Sequence, residues 1–258
     1  TSATGASYCL AKAVDSANNV LLACDDGEVF LYNTAGVATA VTWPTNSSAN
    51  DISLDGKVIV GSAGDQAVRR AGSVNTLLGP LQPGGSSSFS ATNGDGSIAV
   101  GRHTGTYLPI RWTASTGLVA LPLLSNWSAT GATDVSTDGK VIVGWASLEW
   151  EILYGQKAVK WTGTSLTPTV IGEGPVQASA TAVNFDGSVI VGGQGSPVVA
   201  TLWDSAGAHT LKSLLGATSD LTSDWTLDRA FGVSDDGKWV VGTGTHQNHG
   251  EAWVAHLP

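Results

Sequence analysis

The sequence predicts an all-β fold of repeated antiparallel sheets, and three observations carry that expectation. First, one phrase recurs. Ser136-Thr137-Asp138-Gly139-Lys140-Val141-Ile142-Val143-Gly144 returns as Ser53 to Gly61, Asn93 to Gly101, Asn184 to Gly192 and Ser234 to Gly242. A degraded copy lies at Ser16 to Cys24, where Asn18-Asn19 replaces Asp-Gly. Second, the copies follow one another at roughly 40 to 50 residues, a period that marks solenoids, propellers and arrays. Third, most phrases lead into a short strand with an aromatic residue at a fixed place. No repeat could bury an apolar face alone, so residues 1–258 are expected to form a single domain.

Each repeat carries four strands, clearest in the fourth. Ala132 to Val135 is the first. The Thr137-Asp138-Gly139 turn follows, with Asp bonding its own backbone and Gly taking left-handed φ. Val141 to Val143 is the second strand, Ala158 to Trp161 the third and Thr167 to Ile171 the fourth. The third strand recurs as Val29 to Tyr32, Ala67 to Arg70, Pro109 to Trp112, Val199 to Trp203 and Glu251 to Trp253. Tryptophan thus aligns in four repeats, with Tyr32 and Arg70 in the first two, and is expected to plug the core between sheets. Fourth strands are expected at Val37 to Val41, Thr76 to Leu78, Gly117 to Leu121 and Thr210 to Leu214. Six four-stranded sheets make a six-bladed β-propeller. Its repeats run over residues 7–45, 46–82, 88–124, 131–174, 179–216 and 228–258. The last repeat stops one strand short. Either Thr1 to Gly5 supplies that strand, the preferred closure, or Ala255-His256-Leu257 compresses one into the end.

Hydrophobic residues make up 42% of the chain, enough for a sizeable core. Charged residues are only 13%, about half the usual share, while 33 glycines fit a turn-rich chain. With 12 Lys plus Arg, a net charge of -9 and no basic cluster, neither nucleic acid nor an anionic membrane is the partner expected. No apolar run approaches the ~20 residues that a membrane-spanning helix needs. A chain that begins at Thr1 and lacks Met is expected to have lost an initiator, and a secretion signal with it. If Val14 to Val20 is a hairpin, the same register sets Cys9 opposite Cys24, which predicts a disulfide; the alternative is two inert buried thiols. A disulfide agrees with an oxidising compartment. Asn46 and Asn126 head glycosylation triplets that a chain this rich in Ser and Thr produces by chance.

The Ser/Asn-x-Asp-Gly-x-Val-Ile-Val-Gly phrase and the Arg/Lys-Trp strand after it resemble the HAF extracellular repeat family. The resemblance covers about Lys12 to Trp253, and the first copy departs from it by losing both Asp and Gly. The strand plan also looks like the TolB-type propeller repeat. The HAF resemblance implies secretion and a propeller-like architecture, and carries no established chemistry to any residue.

In such a layout the Asp-Gly turns share one face and read as scaffold. The second-to-third loops and the connections between blades share the other, and variable loops on a rigid frame are where function usually sits. Arg102, His103 and Tyr107 lie in one loop; Trp145, Glu149, Trp150, Glu151 and Tyr154 in the next; His246, Asn248 and His249 in the last, with Glu251 nearby. The connection into the sixth repeat adds Asp220, Asp224, Trp225, Asp228 and Arg229. One reading is carbohydrate binding, with Trp145, Trp150 and Trp225 stacking on sugars while Tyr154, Arg229, His246, Asn248 and His249 complete the rim. A second is polysaccharide cleavage: His103 with Tyr107 and Arg102 beside a uronate, or Glu149 or Glu151 with Asp224 as a glycosidase pair. A third is a structural passenger or spacer. Two imidazoles in His246-Gln247-Asn248-His249 fall short of zinc's three or four ligands, so no metal is expected. No cofactor motif occurs. The partner expected is a polysaccharide or cell-surface glycan, or a surface protein, met by a secreted monomer.

Overall fold

The turn chemistry explains the repeated phrase. In the fourth blade the Ser136 hydroxyl accepts from Val141 N at 3.0 Å and donates to Asp138 Oδ1 at 2.8 Å, and that oxygen accepts Lys140 N at 3.0 Å. Gly139 sits at φ 75°, in the left-handed region that favours glycine. Asn can replace Ser because its carboxamide oxygen does the same work: Asn93 Oδ1 accepts Ile98 N, and Asn184 Oδ1 accepts Val189 N. The first copy is one residue shorter than the others. There Asp15, not Ser16, heads the turn, its Oδ1 accepting both Ala17 N and Asn19 N, while Asn18 takes φ 60°.

This computed structural model describes residues 8–148, 155–173, 177–216 and 224–258. The fold class is the expected one, an all-β six-bladed β-propeller with antiparallel up-and-down blades. The chain divides into two compact units, Thr1–Leu121 with the first three blades and Pro122–Pro258 with the last three. Five blades have four strands; the sixth has three among the described residues. Among the described residues no helix is long and apolar enough to cross a membrane.

Two strand expectations need correction. The fourth strand of the fifth blade is Gly207–Thr210, and Leu211–Leu215 is a helix. Thr210 caps it by accepting Ser213 N at 3.2 Å, and Leu211 anchors it in the core. In the sixth blade the third strand runs through His249–His256, which leaves no room for a compressed fourth strand at its end. The alternative, Thr1 to Gly5, lies outside the described residues.

The glycine that ends each phrase does not stop the strand. Gly144 lies inside Ile142–Ser147, opposite a bulge between Ala132 and Asp134. A Cβ on Gly144 would collide with the carbonyl oxygen of Gly131; Gly61, Gly101, Gly192 and Gly242 meet Ser48, Ser88, Ser179 and Arg229 in the same way. Glycine is what lets the two backbones close. The extra residue of the bulge then reaches the neighbouring blade. Thr133 Oγ1 donates to Ala180 O at 2.9 Å, Thr181 Oγ1 to Ala230 O at 2.7 Å, and Asn50 Nδ2 to Phe89 O at 2.7 Å. The next residue adds a second tie in two places. Asp134 accepts Val135 N and, at 2.9 Å, Val183 N; Asp51 accepts Ile52 N and, at 2.8 Å, Thr92 N.

Between these ties lie the cores. In the second unit Val143 and Ala158 pack with Ala178, Ala180, Val183, Ile190 and Trp203. In the first, Val58, Val60 and Ala67 pack with Phe89, Ala99 and Ile110. The aligned aromatic position is confirmed by register: Val20 pairs Tyr32, Ile59 Arg70, Ala99 Trp112, Ile142 Trp161 and Ile190 Trp203. Trp161 is wholly buried and donates its indole N–H to Pro122 O at 2.8 Å. The sixth blade departs. Ala255 holds the aligned place opposite Val240, and Trp253 pairs with Gly242, filling the room that glycine leaves.

Candidate functional site

Cys9 and Cys24 face each other across the first hairpin and are bonded, as their register predicts. The Asp-Gly turns of the second unit are tied to one another: Asp138 N donates to Phe185 O, Phe185 N to Asp235 O, and Thr137 Oγ1 to Asp235 Oδ1 at 2.7 Å. That end of the blades is built for rigidity. Chemistry-bearing side chains gather instead at the opposite end of the sixth blade.

There Trp225 opens the first strand, Trp225–Val233, and His246 ends the second, Trp239–His246; the two are register partners. Their rings stack with centroids 4.5 Å apart and planes 6° from parallel. The imidazole lies between two carboxylates, with Nε2 3.4 Å from Asp224 Oδ2 and Nδ1 3.6 Å from Glu251 Oε1. Asp228 accepts a hydrogen bond from Thr245 Oγ1 at 3.2 Å, and Lys212 Nζ reaches Trp225 O at 2.8 Å. Thr243 to Gly250 is therefore not a loop. It is a two-residue hairpin whose Gln247 and Asn248 take φ 48° and 65°, as a type I′ turn needs, and His246 faces an exposed His249. One face of Trp225 is occupied by His246 and its body packs on the blade core, so it is no free platform.

The other candidates are dispersed. Arg229 turns into the neighbouring blade, its Nη1 donating to Ser179 Oγ at 2.8 Å, and burial lowers its pKa. Trp145 is a strand residue lying against Gly131, half-buried. Arg102 and Tyr107 are exposed, the latter at φ 49°. His103 is not on the rim. It is wholly buried, with Nδ1 3.2 Å from Ser87 Oγ and Nε2 without a partner. Gly85 closes over it, with Gly105 packed against Gly85: a Cβ on Gly85 would come 2.5 Å from Nε2. Glu149, Trp150, Glu151, Tyr154 and Asp220 lie outside the described residues. Among the described residues no three His, Cys, Asp or Glu side chains converge as metal ligands would.

The residues above were each legible singly, but not their grouping. Asp224 precedes the first strand, His246 ends the second and Glu251 lies in the third, so only strand register brings them together. The carboxylates of Asp51 and Asp134 escaped notice altogether. Their signal is a polar pair, Asn50-Asp51 or Thr133-Asp134, just before the apolar residue that leads into a turn.

No protein-family model matches the chain, and no curated protein matches it in sequence. Solved structures do resemble it. A candidate TolB from Agrobacterium tumefaciens is 14% identical with a TM-score of 0.59, covering 97% of this chain and 91% of its own. TolB from Acinetobacter baumannii is 13% identical with a TM-score of 0.56, covering 77% of this chain and 52% of that one. The likeness is one of fold. Prolyl oligopeptidase B from Galerina marginata, 9% identical with a TM-score of 0.58, matches 97% of this chain with 42% of its own. The chain spans about half the length of the Acinetobacter TolB.

Proposed function

We propose that the protein is a secreted binding propeller of the HAF repeat type, taking a hydroxyl-rich ligand such as a cell-surface glycan at the hairpin end of the sixth blade. The observation that carries this reading is the Trp225–His246 stack bracketed by Asp224 and Glu251. The His246 imidazole and the Glu251 carboxylate, held on strands, and the Asp224 carboxylate just before the first strand offer acceptors and donors for vicinal hydroxyls. The disulfide supports an oxidising compartment. Enclosure of His103 speaks against cleavage through that imidazole, since a substrate proton would have to pass Gly85 and Gly105.

A glycan array, followed by calorimetry on the best ligand, tests the site. Replacing Glu251 by Gln and His246 by Ala should each weaken binding about tenfold or more, the worth of one or two hydrogen bonds to charged groups. Binding unchanged in both variants would remove the sixth-blade site. Formation of new reducing ends or unsaturated products would instead make the protein an enzyme.

A further inference from the structure

Two contacts between neighbouring blades, one in each unit, can be compared residue by residue. Between the second and third blades, Arg69 leaves its strand opposite Val60 and crosses to the third blade. Its Nη2 and Nε donate to the carbonyl oxygen of the turn glycine Gly96, at 2.8 and 3.2 Å, and its Cζ lies 4.6 Å from the centroid of the Trp112 ring. A guanidinium thus fills the room between turn and tryptophan. Its planar fork bonds one oxygen twice while its face meets the ring.

Between the fourth and fifth blades the backbone frame is the same. Lys160 pairs Val143 as Arg69 pairs Val60, and Trp203 pairs Ile190 as Trp112 pairs Ala99. The turn glycines match too: a Cβ on Gly187 would strike Val141, as one on Gly96 would strike Val58. The side chains differ. Lys160 makes no such bridge, and among the described residues nothing pairs with its ammonium. Beside it lies a cavity of about 320 Å³, lined by Lys160, Gly187, Trp203 and Asp204 over an apolar wall of Ile171 and Ile190. Between the fifth and sixth blades the same register position is Leu202, buried with Leu211 and Val240 in a closed core.

The cavity carries charge of both signs. Asp204 and Ser205 stand where the third blade has Thr113 and Ala114. Asp204 uses Oδ1 on its own turn, accepting Ala206 N at 2.7 Å and Gly207 N at 3.2 Å, with His209 Nε2 3.4 Å away; Oδ2 accepts from no described residue. Lys160 and Asp204 line one cavity without pairing with each other. A bare cation would meet Lys160 and a bare anion Asp204, whereas a guest with both charges meets each with its opposite. The volume falls at the small end of the roughly 300–1,000 Å³ that ligand sites span, which suits a molecule of amino-acid size.

We propose that this cavity binds a small guanidino acid such as arginine. Its guanidinium takes the place beside Gly187 and Asp204 that Arg69 takes beside Gly96, and its carboxylate meets Lys160. The site shares no residue with the ligand site of the sixth blade and does not rest on it.

Calorimetry on the whole chain tests this with three related probes: L-arginine, agmatine, which lacks the carboxylate, and L-citrulline, whose head is uncharged. Arginine should bind, and the other two about tenfold more weakly or worse. Lys160→Arg should supply the guanidinium from within, as Arg69 does. Arginine binding is then lost, and the thermal midpoint rises by about 2 °C or more as the cavity fills. Asp204→Asn keeps Oδ1 for the turn, so it should weaken arginine about tenfold and leave the fold intact by circular dichroism. Citrulline bound as well as arginine would overturn the proposal. So would arginine binding that both substitutions leave untouched, or no binding at millimolar arginine.

Discussion

At the scale of single residues, glycine serves this chain in two separable ways. Gly64 has φ 57° and open space around it, so an alanine there pays only for left-handed backbone. Gly144 has no such φ, and its missing Cβ makes room for a neighbouring carbonyl. Gly144→Ala should therefore cost about 3 kcal/mol or more by forcing the bulged pair apart, whereas Gly64→Ala should cost about 1 kcal/mol; urea midpoints compared at constant m-value check the ranking. Asp134 is the second informative residue. Burial pushes its carboxyl up to about 6, against the opposing hydrogen bonds from Val183 and Val135 N–H, with Asp235 adding repulsion. A raised folded-state pKa means that this group favours the fold while protonated, and that the contribution is lost as pH rises through about 6. The loss amounts to about 3 kcal/mol at most. Asp134→Asn should flatten the stability profile between about pH 4 and 7. It should also lower its plateau, because an amide offers one acceptor where the carboxylate offers two. A profile of unchanged slope would show that Asp134 is not the group that titrates.

At the scale of elements, the first hairpin stands apart from its five counterparts. Its turn is shorter, several of its strand residues are exposed, and it alone is cross-linked. The bond closes a separation of 15 residues, which in chain-entropy terms restrains the unfolded state by about 3 kcal/mol. Replacing both cysteines by serine should therefore lower stability by about 2–4 kcal/mol. Hydrogen exchange should show the loss concentrated in Cys9–Val14 and Val20–Cys24. Equal loss of protection throughout the first unit would mean that the hairpin is not a separate cooperative element. The helix at Leu211–Leu215 teaches a different lesson. The place of that segment in the repeat suggests a strand, but its own residues do not: Leu211, Leu214 and Leu215 fall at helical spacing behind a Thr210 cap, and all three pack on one core.

At the scale of the whole molecule, the Asp-Gly turns act in concert on acid stability. Hydroxyl donors hold Asp55, Asp95, Asp186 and Asp236 below the usual carboxylate range, through Ser53, Ser97, Ser188 and Ser234 respectively. Asp138 is held low too, although burial works against Lys140 and Ser136 there. Depressed pKa values contribute stability that is present above the unfolded value and lost as pH falls through the folded one. Asp134 acts in the opposite sense. Thermal midpoints should therefore peak near about pH 4, fall below it as the turn carboxylates protonate, and decline above it until they level off past about pH 6, where Asp134 is ionised in both states. A midpoint that keeps rising to pH 8 would contradict the balance.

The repeat, the turns, the first hairpin's register and its disulfide can be read along the chain, because each depends on neighbours within a few residues or on a plain period. Asp-Gly predicts a turn wherever it stands, since the bonds that make it lie inside the phrase. The enclosure of His103, the departure of Trp253 from the aligned position and the meeting of Asp224, His246 and Glu251 come from folding in three dimensions. Those outcomes depend on which backbones bulge and which strands pair across dozens of residues, and burial is a property of the neighbours that packing brings. His103 looks like any exposed loop histidine until Gly85, from the segment before the blade's first strand, closes over it.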